Sequence, residues 1–571
     1  MHSSCDSADQ NARPWLKSYP PGVPAEVDLG EYASLVDVMD RTVLACGERT
    51  AYISMGRRLT YRKLAELGTR FAGFLQGDQG LARGARVAVM LPNVLQYPVC
   101  LCGALKAGLT VVNFNPLYTP RELAHQLEDS GAEVIVVLEN FAHVLEAALA
   151  LMGDKNPVRQ VVVTSMGDLL GPVKGVVVNF MLRRVKKMVP AWHFPGAISF
   201  QVALARGAGQ EFRSVPVGQD DLAFLQYTGG TTGVAKGAVL THGNMLANLA
   251  QIHAWVTPIL RDGQELIVTA LPLYHIFSLT ANWLLFLKLG GASLLIANPR
   301  DIGGLIREMG RYPFTAITGV NTLFNALVGH PDFRKLDFGT LRIALGGGMS
   351  VQKAVAERWH DLTGVPLIEA YGLTETAPAV TINPMAMKAF NGCIGLPLPS
   401  TEVSIRDDAD QALPLGSAGE ICVRGPQVMK AYYRHPEETA NAMTGDGYLR
   451  TGDIGIMDEQ GFVRLVDRKK DTILVSGFNV YPNEVEDVIA GLPGVREVAA
   501  VGVSDPHSGE AVKVFIARSD PSLTVEAVMA HCRKNLTGYK LPRAVEFRTE
   551  LPKTTVGKIL RRALKDEGRE A

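Results

Sequence analysis

The chain runs to 571 residues, 47% hydrophobic and 20% charged, with 57 basic side chains set against 57 acidic ones. Such a length predicts two or more domains, and zero net charge argues against a nucleic-acid partner held by bulk electrostatics. The seven scattered cysteines lack zinc-ligand spacing, so no structural metal is expected and a reducing compartment is.

In chain order, the polar start MHSSCDSADQNARPW lacks the charged-then-apolar plan of a signal peptide, and a cytoplasmic protein is expected. Amphipathic spacing predicts a helix over Tyr61 to Gln76, then a strand over Arg86 to Pro92. A helix follows over Pro120 to Asp129, with strands over Glu133 to Leu138 and Leu222 to Tyr227. Next come a helix over Asn244 to Val256 and a strand over Leu266 to Leu271. The most apolar stretch, Trp283 to Ala297, is broken by Lys288 and the pair Gly290–Gly291, too short for a spanning helix. Strands over Thr315 to Val320 and Leu341 to Leu345 precede a helix over Val351 to Leu362. This alternation reads as α/β with mostly buried sheets.

The run DRKKD, Asp467 to Asp471, separates strand-like FVRLV from strand-like TILV and marks a domain boundary, giving units 1–466 and 467–571. Taken alone, such a run is a solvated turn. Beyond it the pattern reads helix (Asn483 to Ala490), strands (Val495 to Val503, Ala511 to Ala517), helix (Thr524 to Asn535), strand (Ala544 to Phe547) and helix (Lys558 to Lys565). That is enough for a small α+β domain.

The strongest local signal is LQYTGGTTGVAKGAVLTHGN, Leu225 to Asn244. A strand-like run ends in a loop dense in Thr and Gly, with Lys236 inside it and a helix after it. Gly229, Gly230 and Gly233 let the backbone approach a polyanion, the hydroxyls of Thr228, Thr231 and Thr232 add donors, and Lys236 adds a point charge. It is not a Walker loop, because Ala235 and Gly237 flank the lysine where that motif needs Gly and then Ser or Thr. A generic Gly/Thr loop is a surface loop; this density points to phosphate.

YTGGTTGVAKG resembles the phosphate-loop signature of the adenylate-forming superfamily. Further signatures of that superfamily follow in order: LPLYHIF (Leu271 to Phe277), LGGGMS (Leu345 to Ser350), YGLTET (Tyr371 to Thr376), YLRTGD (Tyr448 to Asp453), VDRKKD (Val466 to Asp471), SGFNVYPNEVE (Ser476 to Glu486) and LPKTTVGKILRR (Leu551 to Arg562). Each is weak or moderate alone, and the resemblance covers nearly the whole chain. In wording it is most similar to bacterial long-chain fatty-acid–CoA ligases. It implies a large, multi-subdomain N-terminal adenylation domain (1–466) and a small, mobile C-terminal domain (467–571).

The resemblance also implies roles. Glu375 helps hold Mg²⁺ and Thr374 approaches the α-phosphate; a divalent ion suits a pyrophosphate leaving group. Tyr371, with Gly372 beside it, packs on adenine, and Gly346, Gly347 and Gly348 pass close to the nucleotide. Asp453 and Arg468 bind ribose. Lys558 bridges the fatty carboxylate and the α-phosphate, two anions that repel. Lys470 is a hinge, and Ser476 and Gly477 line the path of the CoA arm. His275 lies near the substrate carboxylate, and Phe277, Leu279, Trp283, Val320, Leu323 and Phe324 are tunnel candidates that core packing explains equally well. Gly243 departs from the pattern where relatives often carry a basic residue, with no catalytic consequence.

From Leu169 to Gln210 there is no acidic residue, and GVVVNFMLRRVKKMVPAW sets Arg183, Arg184, Lys186 and Lys187 among apolar side chains. Such a segment suits the anionic inner face of a membrane; the alternative is an amphipathic helix packed on the large domain. The reading expected is ATP-dependent activation of a long-chain fatty acid to acyl-AMP and then acyl-CoA, with Mg²⁺ as cofactor and ATP and CoA as cosubstrates. It admits a homodimer. An acyl-AMP ligase that loads a carrier protein, and a nucleotide-binding regulator with a dead site, are the competing readings.

Overall fold

The computed structural model describes residues 13–228, 235–505, 507–554 and 557–567. Among them the strands form four sheets. The first is seven-stranded, ordered Ile198–Ser199, Gln160–Thr164, Val134–Leu138, Arg86–Met90, Thr110–Asn113, Leu222–Thr228, Lys236–Thr241. Its strands pair in parallel except the last, which returns antiparallel. Runs such as VIVVL (Val134–Leu138), buried at every position, are what a parallel sheet covered on both faces requires.

The second sheet has nine strands. Its parallel centre comprises Leu367–Gly372, Ile343–Gly347, Ala316–Gly319, Leu266–Thr269, Ala292–Leu295 and Thr50–Ser54, with antiparallel strands at either edge. One continuous apolar core serves both sheets, through side chains such as Phe224 from the first and Leu345 from the second. A third, antiparallel sheet runs Glu402–Arg406, Ala418–Arg424, Leu449–Met457, Val463–Arg468. The fourth is built from Ile473–Val475, Phe478–Val480, Val495–Asp505, Gly509–Arg518 and Ala544–Arg548, and it has a core of its own around Val485, Ile489, Val512 and Val528.

The expected α/β alternation is present, with local differences. The helix from Tyr61 ends at Gly73 and continues as a wider π-type turn, Phe74–Asp78. Lys236 is not inside a loop but opens a strand, Lys236–Thr241, because KGAVLT is buried at every position. The helix that follows, His242–Val256, is capped by Thr241, whose side chain accepts from the Asn244 amide while Asn244 bonds back. The last helix starts at Arg561 rather than Lys558, since Ile559 is held in an isolated antiparallel bridge to Lys553. Ser476 and Gly477 are the two-residue turn of the Ile473–Val480 hairpin, with φ of +50° and +84° as its twist demands.

Candidate active site

All four parts of the fold meet at one cavity of about 750 Å³. The first sheet contributes Asn113, Gln226 and Thr228; the second Gly347, Gly348 and Tyr371; the third Arg450, Thr451 and Gly452; the C-terminal part Thr554 and Lys558. The lining falls into a polar limb and an apolar one. The apolar limb follows the strand Ile343–Gly347 back from its C-terminal end, past Leu345 to Ile343, beside Ala316 and Ile267, and reaches Val256 and Leu260.

The polar limb is organised around two groups of side-chain contacts. Tyr432 donates its phenolic hydrogen to Glu375 Oε1 at 2.7 Å, and Lys236 lies over the Tyr432 ring, 5.5 Å from its centroid, while ion-paired to Glu438. Tyr371 donates to Asp453 Oδ2 at 2.8 Å, and Arg468 Nε stands 3.2 Å from the other carboxylate oxygen. Asp453 is 3% exposed; burial holds its pKa above the usual carboxylate value, against the pull of Arg468. The YGLTET loop is shaped by close backbone approach, since a Cβ on Gly372 would lie 1.9 Å from the Pro378 carbonyl oxygen.

Lys558 enters from the C-terminal side. A Cβ added to Gly348 would lie 3.4 Å from its Cε and 3.8 Å from its Nζ, in ordinary contact, so the lysine reaches the end of the glycine strand, where a φ of +78° calls for glycine. Thr322 donates to the Gly557 carbonyl at 2.9 Å and Lys558 N–H donates to Thr554 Oγ1 at 3.0 Å, anchoring the backbone at Gly557 and Lys558. Burial, assisted by Arg468, lowers the Lys558 pKa to about 8. His275 lines the same cavity; burial and then Lys558 lower its pKa to about 3, so the imidazole is neutral near pH 7.

The structure therefore brings Thr228, Lys236, His275, Gly347, Gly348, Tyr371, Gly372, Thr374, Glu375, Arg468 and Lys558 to one cavity, with Asp453 just behind Tyr371 and Arg468. Gly229, Gly230, Thr231, Thr232 and Gly233 lie outside the described residues. Gly346 is not a lining residue; a Cβ there would meet Val351 at 2.6 Å, so it serves packing beneath the strand. Lys470, Ser476 and Gly477 are exposed and stand outside the cavity lining. Of the tunnel candidates only Phe277 lines the cavity; Leu279 and Trp283 pack in the large core, and Val320, Leu323 and Phe324 in a second cluster on the other side of the nine-stranded sheet. Sequence reasoning missed Tyr432 and Glu438, partners that no local signal links to Glu375 or to Lys236.

Among the described residues no group of three or more His, Cys, Asp or Glu side chains could enclose a metal. The carboxylate of Glu375, on the cavity wall, has the chemistry of a ligand for Mg²⁺, an ion that is commonly bound through one or two carboxylates together with substrate phosphates and water.

The AMP-binding enzyme family model matches residues 39–433, and the AMP-binding enzyme C-terminal domain model matches residues 484–558. The chain is 57% identical to a long-chain-fatty-acid–CoA ligase of Escherichia coli O6:H1, over 97% of this chain and 98% of that one. It is 36% identical to a long-chain-fatty-acid–CoA ligase of Bacillus subtilis, over 98% and 99%. Among solved structures, ATP-bound MatB from Rhodopseudomonas palustris superposes with a TM-score of 0.79 at 27% identity, covering 93% of this chain and 98% of that one. The anthranilate CoA ligase AuaEII with anthranoyl-AMP, at 24% identity, shares the fold, with a TM-score of 0.82 over 94% of this chain and 98% of that one.

Proposed function

Since the chain belongs to the AMP-binding enzyme family, we propose that it is a long-chain fatty-acid–CoA ligase working through an acyl-adenylate. The observation that carries this reading is the single cavity, whose apolar limb ends where Lys558, His275 and the glycine strand meet the polar limb. An alkyl chain lying along Leu345 and Ile343 presents its carboxylate at Lys558, beside a nucleotide held by Asp453 and Arg468.

In the first half-reaction a carboxylate oxygen attacks the α-phosphorus and the bond to pyrophosphate breaks. Lys558, protonated, offsets the repulsion between the two anions. Thr374 lies at the α-phosphate, Tyr371 against the adenine, and Lys236 with the Thr228 edge at the outer phosphates. Glu375 would hold Mg²⁺, which when bound would neutralise charge on the departing pyrophosphate. In the second half-reaction the CoA thiol loses its proton, sulfur attacks the acyl carbonyl and AMP leaves. Lys558 occupies one approach to that carbonyl, so the C-terminal part, taken as residues 467–571, turns about Lys470 to bring the Ser476–Gly477 turn to the thiol path.

Release of AMP and pyrophosphate with palmitate, ATP and Mg²⁺ tests the reading, with the acyl product followed by mass. Palmitoyl-CoA forming only when CoA is present supports it. Acyl-AMP that accumulates and ignores CoA replaces it with the carrier-protein reading.

The same reading includes peripheral contact with the cytoplasmic face of a membrane. Among the described residues no helix is long and apolar enough to cross one. The helix Pro172–Phe180 and the turn Met181–Val185 nevertheless expose Val173, Val176, Val177, Phe180, Met181 and Val185, with Val173 77% and Phe180 58% accessible. Arg184, Lys186 and Lys187 stand among them, whereas Arg183 is drawn inward to Glu139 and Ser165, at 2.8 and 2.9 Å. An exposed apolar face with three exposed cations suits an anionic lipid surface.

A further inference from the structure

Arg561 lies three residues beyond Lys558, in no contact with the cavity, yet it is among the most heavily bonded side chains of the C-terminal part. Its guanidinium donates through Nε and Nη2 to the two carboxylate oxygens of Glu486, at 2.9 and 2.7 Å, and through Nη2 to Asn483 Oδ1 at 2.5 Å. Through Nη1 it reaches Asp467 Oδ1 at 3.2 Å and stands 3.7 Å from Asp471. Glu486 and Asn483 sit on the helix Pro482–Ala490, which packs with the fourth sheet. Asp467 sits on the strand Val463–Arg468 of the third sheet and is fully buried. Its second oxygen accepts the Asn483 backbone N–H at 2.7 Å, where that helix begins.

Asp467 and Asp471 bracket Lys470, so one guanidinium holds carboxylates on both sides of the hinge. A buried carboxylate held by an arginine and a helix-start amide is stable only while those donors stay in place, since losing them leaves a charge uncompensated. Turning the C-terminal part about Lys470 carries Arg561, Asn483 and Glu486 away from Asp467 together. We propose that Arg561 is a positioning residue for adenylation: by clamping Asp467 to Glu486 and Asn483 it latches the arrangement in which Lys558 reaches the cavity beside Gly348. The inference rests on the two-step reading above and adds to it the contact that holds the first arrangement. The alternative is that the cluster only stabilises the C-terminal part, in which case both half-reactions respond alike.

The half-reactions separate these cases. Acyl-AMP formation from palmitate and Mg-ATP is measured without CoA, and palmitoyl-CoA formation is measured from supplied palmitoyl-AMP and CoA. For Arg561→Ala the expected result is a loss of about 100-fold in the first, the scale of a misplaced catalytic group, with the second unchanged or faster. Arg561→Lys should recover part of the loss, because Lys reaches one carboxylate but cannot fork across two. Asp467→Asn removes the same contact from the other side and keeps the shape, so its loss in acyl-AMP formation should not add to that of Arg561→Ala. Equal loss in both half-reactions, no loss in either, or additive losses in the double variant overturns the latch. Lys558→Ala, run alongside, tests the underlying reading separately: full acyl-AMP formation by that variant would remove the role of Lys558 itself, whatever Arg561 does.

Discussion

Asp453 and Arg468 are register partners across the antiparallel strands Leu449–Met457 and Val463–Arg468, and their side chains meet at 3.2 Å beneath Tyr371. The pair makes a pre-set acceptor: burial alone would favour the protonated acid, while Arg468 and the tyrosine hydroxyl favour the carboxylate. A carboxylate that accepts from ribose hydroxyls contributes about 1.5–3 kcal/mol per charged hydrogen bond. Asp453→Asn should therefore raise KM for ATP by roughly 10- to 100-fold while leaving KM for the fatty acid near its starting value. Steady-state kinetics with each substrate varied checks this, and a parallel rise in both would place Asp453 in the scaffold instead.

Lys558 gives a pH signature. Its pKa is lowered to about 8 by burial and by Arg468, so the free enzyme carries the charged form below that pH and loses it above. Adenylation that needs the ammonium should fall on the alkaline side with a midpoint near 8 in kcat/KM for ATP, which reports the free enzyme. Lys558→Arg remains charged throughout and should lose that limb even if its rate is lower. A limb unchanged in the arginine variant assigns the titration to another group. His275, neutral from about pH 3 upward, contributes no limb in this range.

Much of the site was legible because it lies in short segments whose order along the chain is informative: the glycine strand at Leu345, YGLTET, RTGD and the terminal GK. Lys236 lines the cavity, but it opens a strand where the sequence suggested a loop, since AVLT after it supports a strand. Of the third sheet only the strand over FVRLV was read. Its strands mix charged and apolar residues without clean alternation, as in Arg450 to Asp453, and they pair with partners some thirty residues away (Arg450 with Cys422). The tunnel candidates, which core packing explained equally well, divide for a related reason. Val320, Leu323 and Phe324 are as apolar as Leu345 and Ala316, and only the sheet's placement decides which set meets the cavity. Glu438 is closer to the surface and two hundred residues from Lys236, a pairing that composition does not encode.

The apolar limb runs along the strand Ile343–Gly347, whose four residue steps span about 13 Å at roughly 3.3 Å each. Ala316 stands at its far part, beside Ile343 and Ile267. Ala316→Leu adds three carbons there and should shorten the accepted chain. Each methylene that can no longer be buried costs about 0.8 kcal/mol, so palmitate should lose roughly 10-fold or more in kcat/KM relative to decanoate. An acyl-chain series on the variant checks this; an unchanged profile would mean the chain takes another route.

The exposed face of Pro172–Val185 predicts salt-sensitive lipid binding. Replacing Arg184, Lys186 and Lys187 with Gln should weaken partition onto anionic vesicles by about 3 kcal/mol, at roughly 1 kcal/mol per cation, with activity on soluble substrate retained. Co-sedimentation with vesicles containing 30% phosphatidylserine (about the anionic range meant here) reads it. Phe180→Asp should weaken binding to neutral vesicles as well, because it removes apolar insertion rather than charge. Retained binding by both variants would return this face to the role of a solvated helix.

Glu369 tests whether buried acids under the site limit stability. It is 5% exposed, on the Leu367–Gly372 strand, with Oε1 accepting the Val351 N–H at 2.9 Å. Burial raises its pKa to about 8, against that hydrogen bond. The folded state then holds a proton that the unfolded chain releases near pH 4.5. Because the native form binds the extra proton, stability must fall as pH rises from the unfolded value toward 8, by roughly 1.4 kcal/mol per pH unit in the ideal case. Above the folded pKa the group costs a constant amount. Glu369→Gln keeps an acceptor for Val351 and does not ionise, so its Tm should overtake that of the parent between pH 6 and 8 and stay ahead at pH 9. Thermal melts of both proteins across that range decide the matter: parallel curves would mean that Glu369 ionises with its neighbours rearranged around it, and that the acid carries no folding penalty.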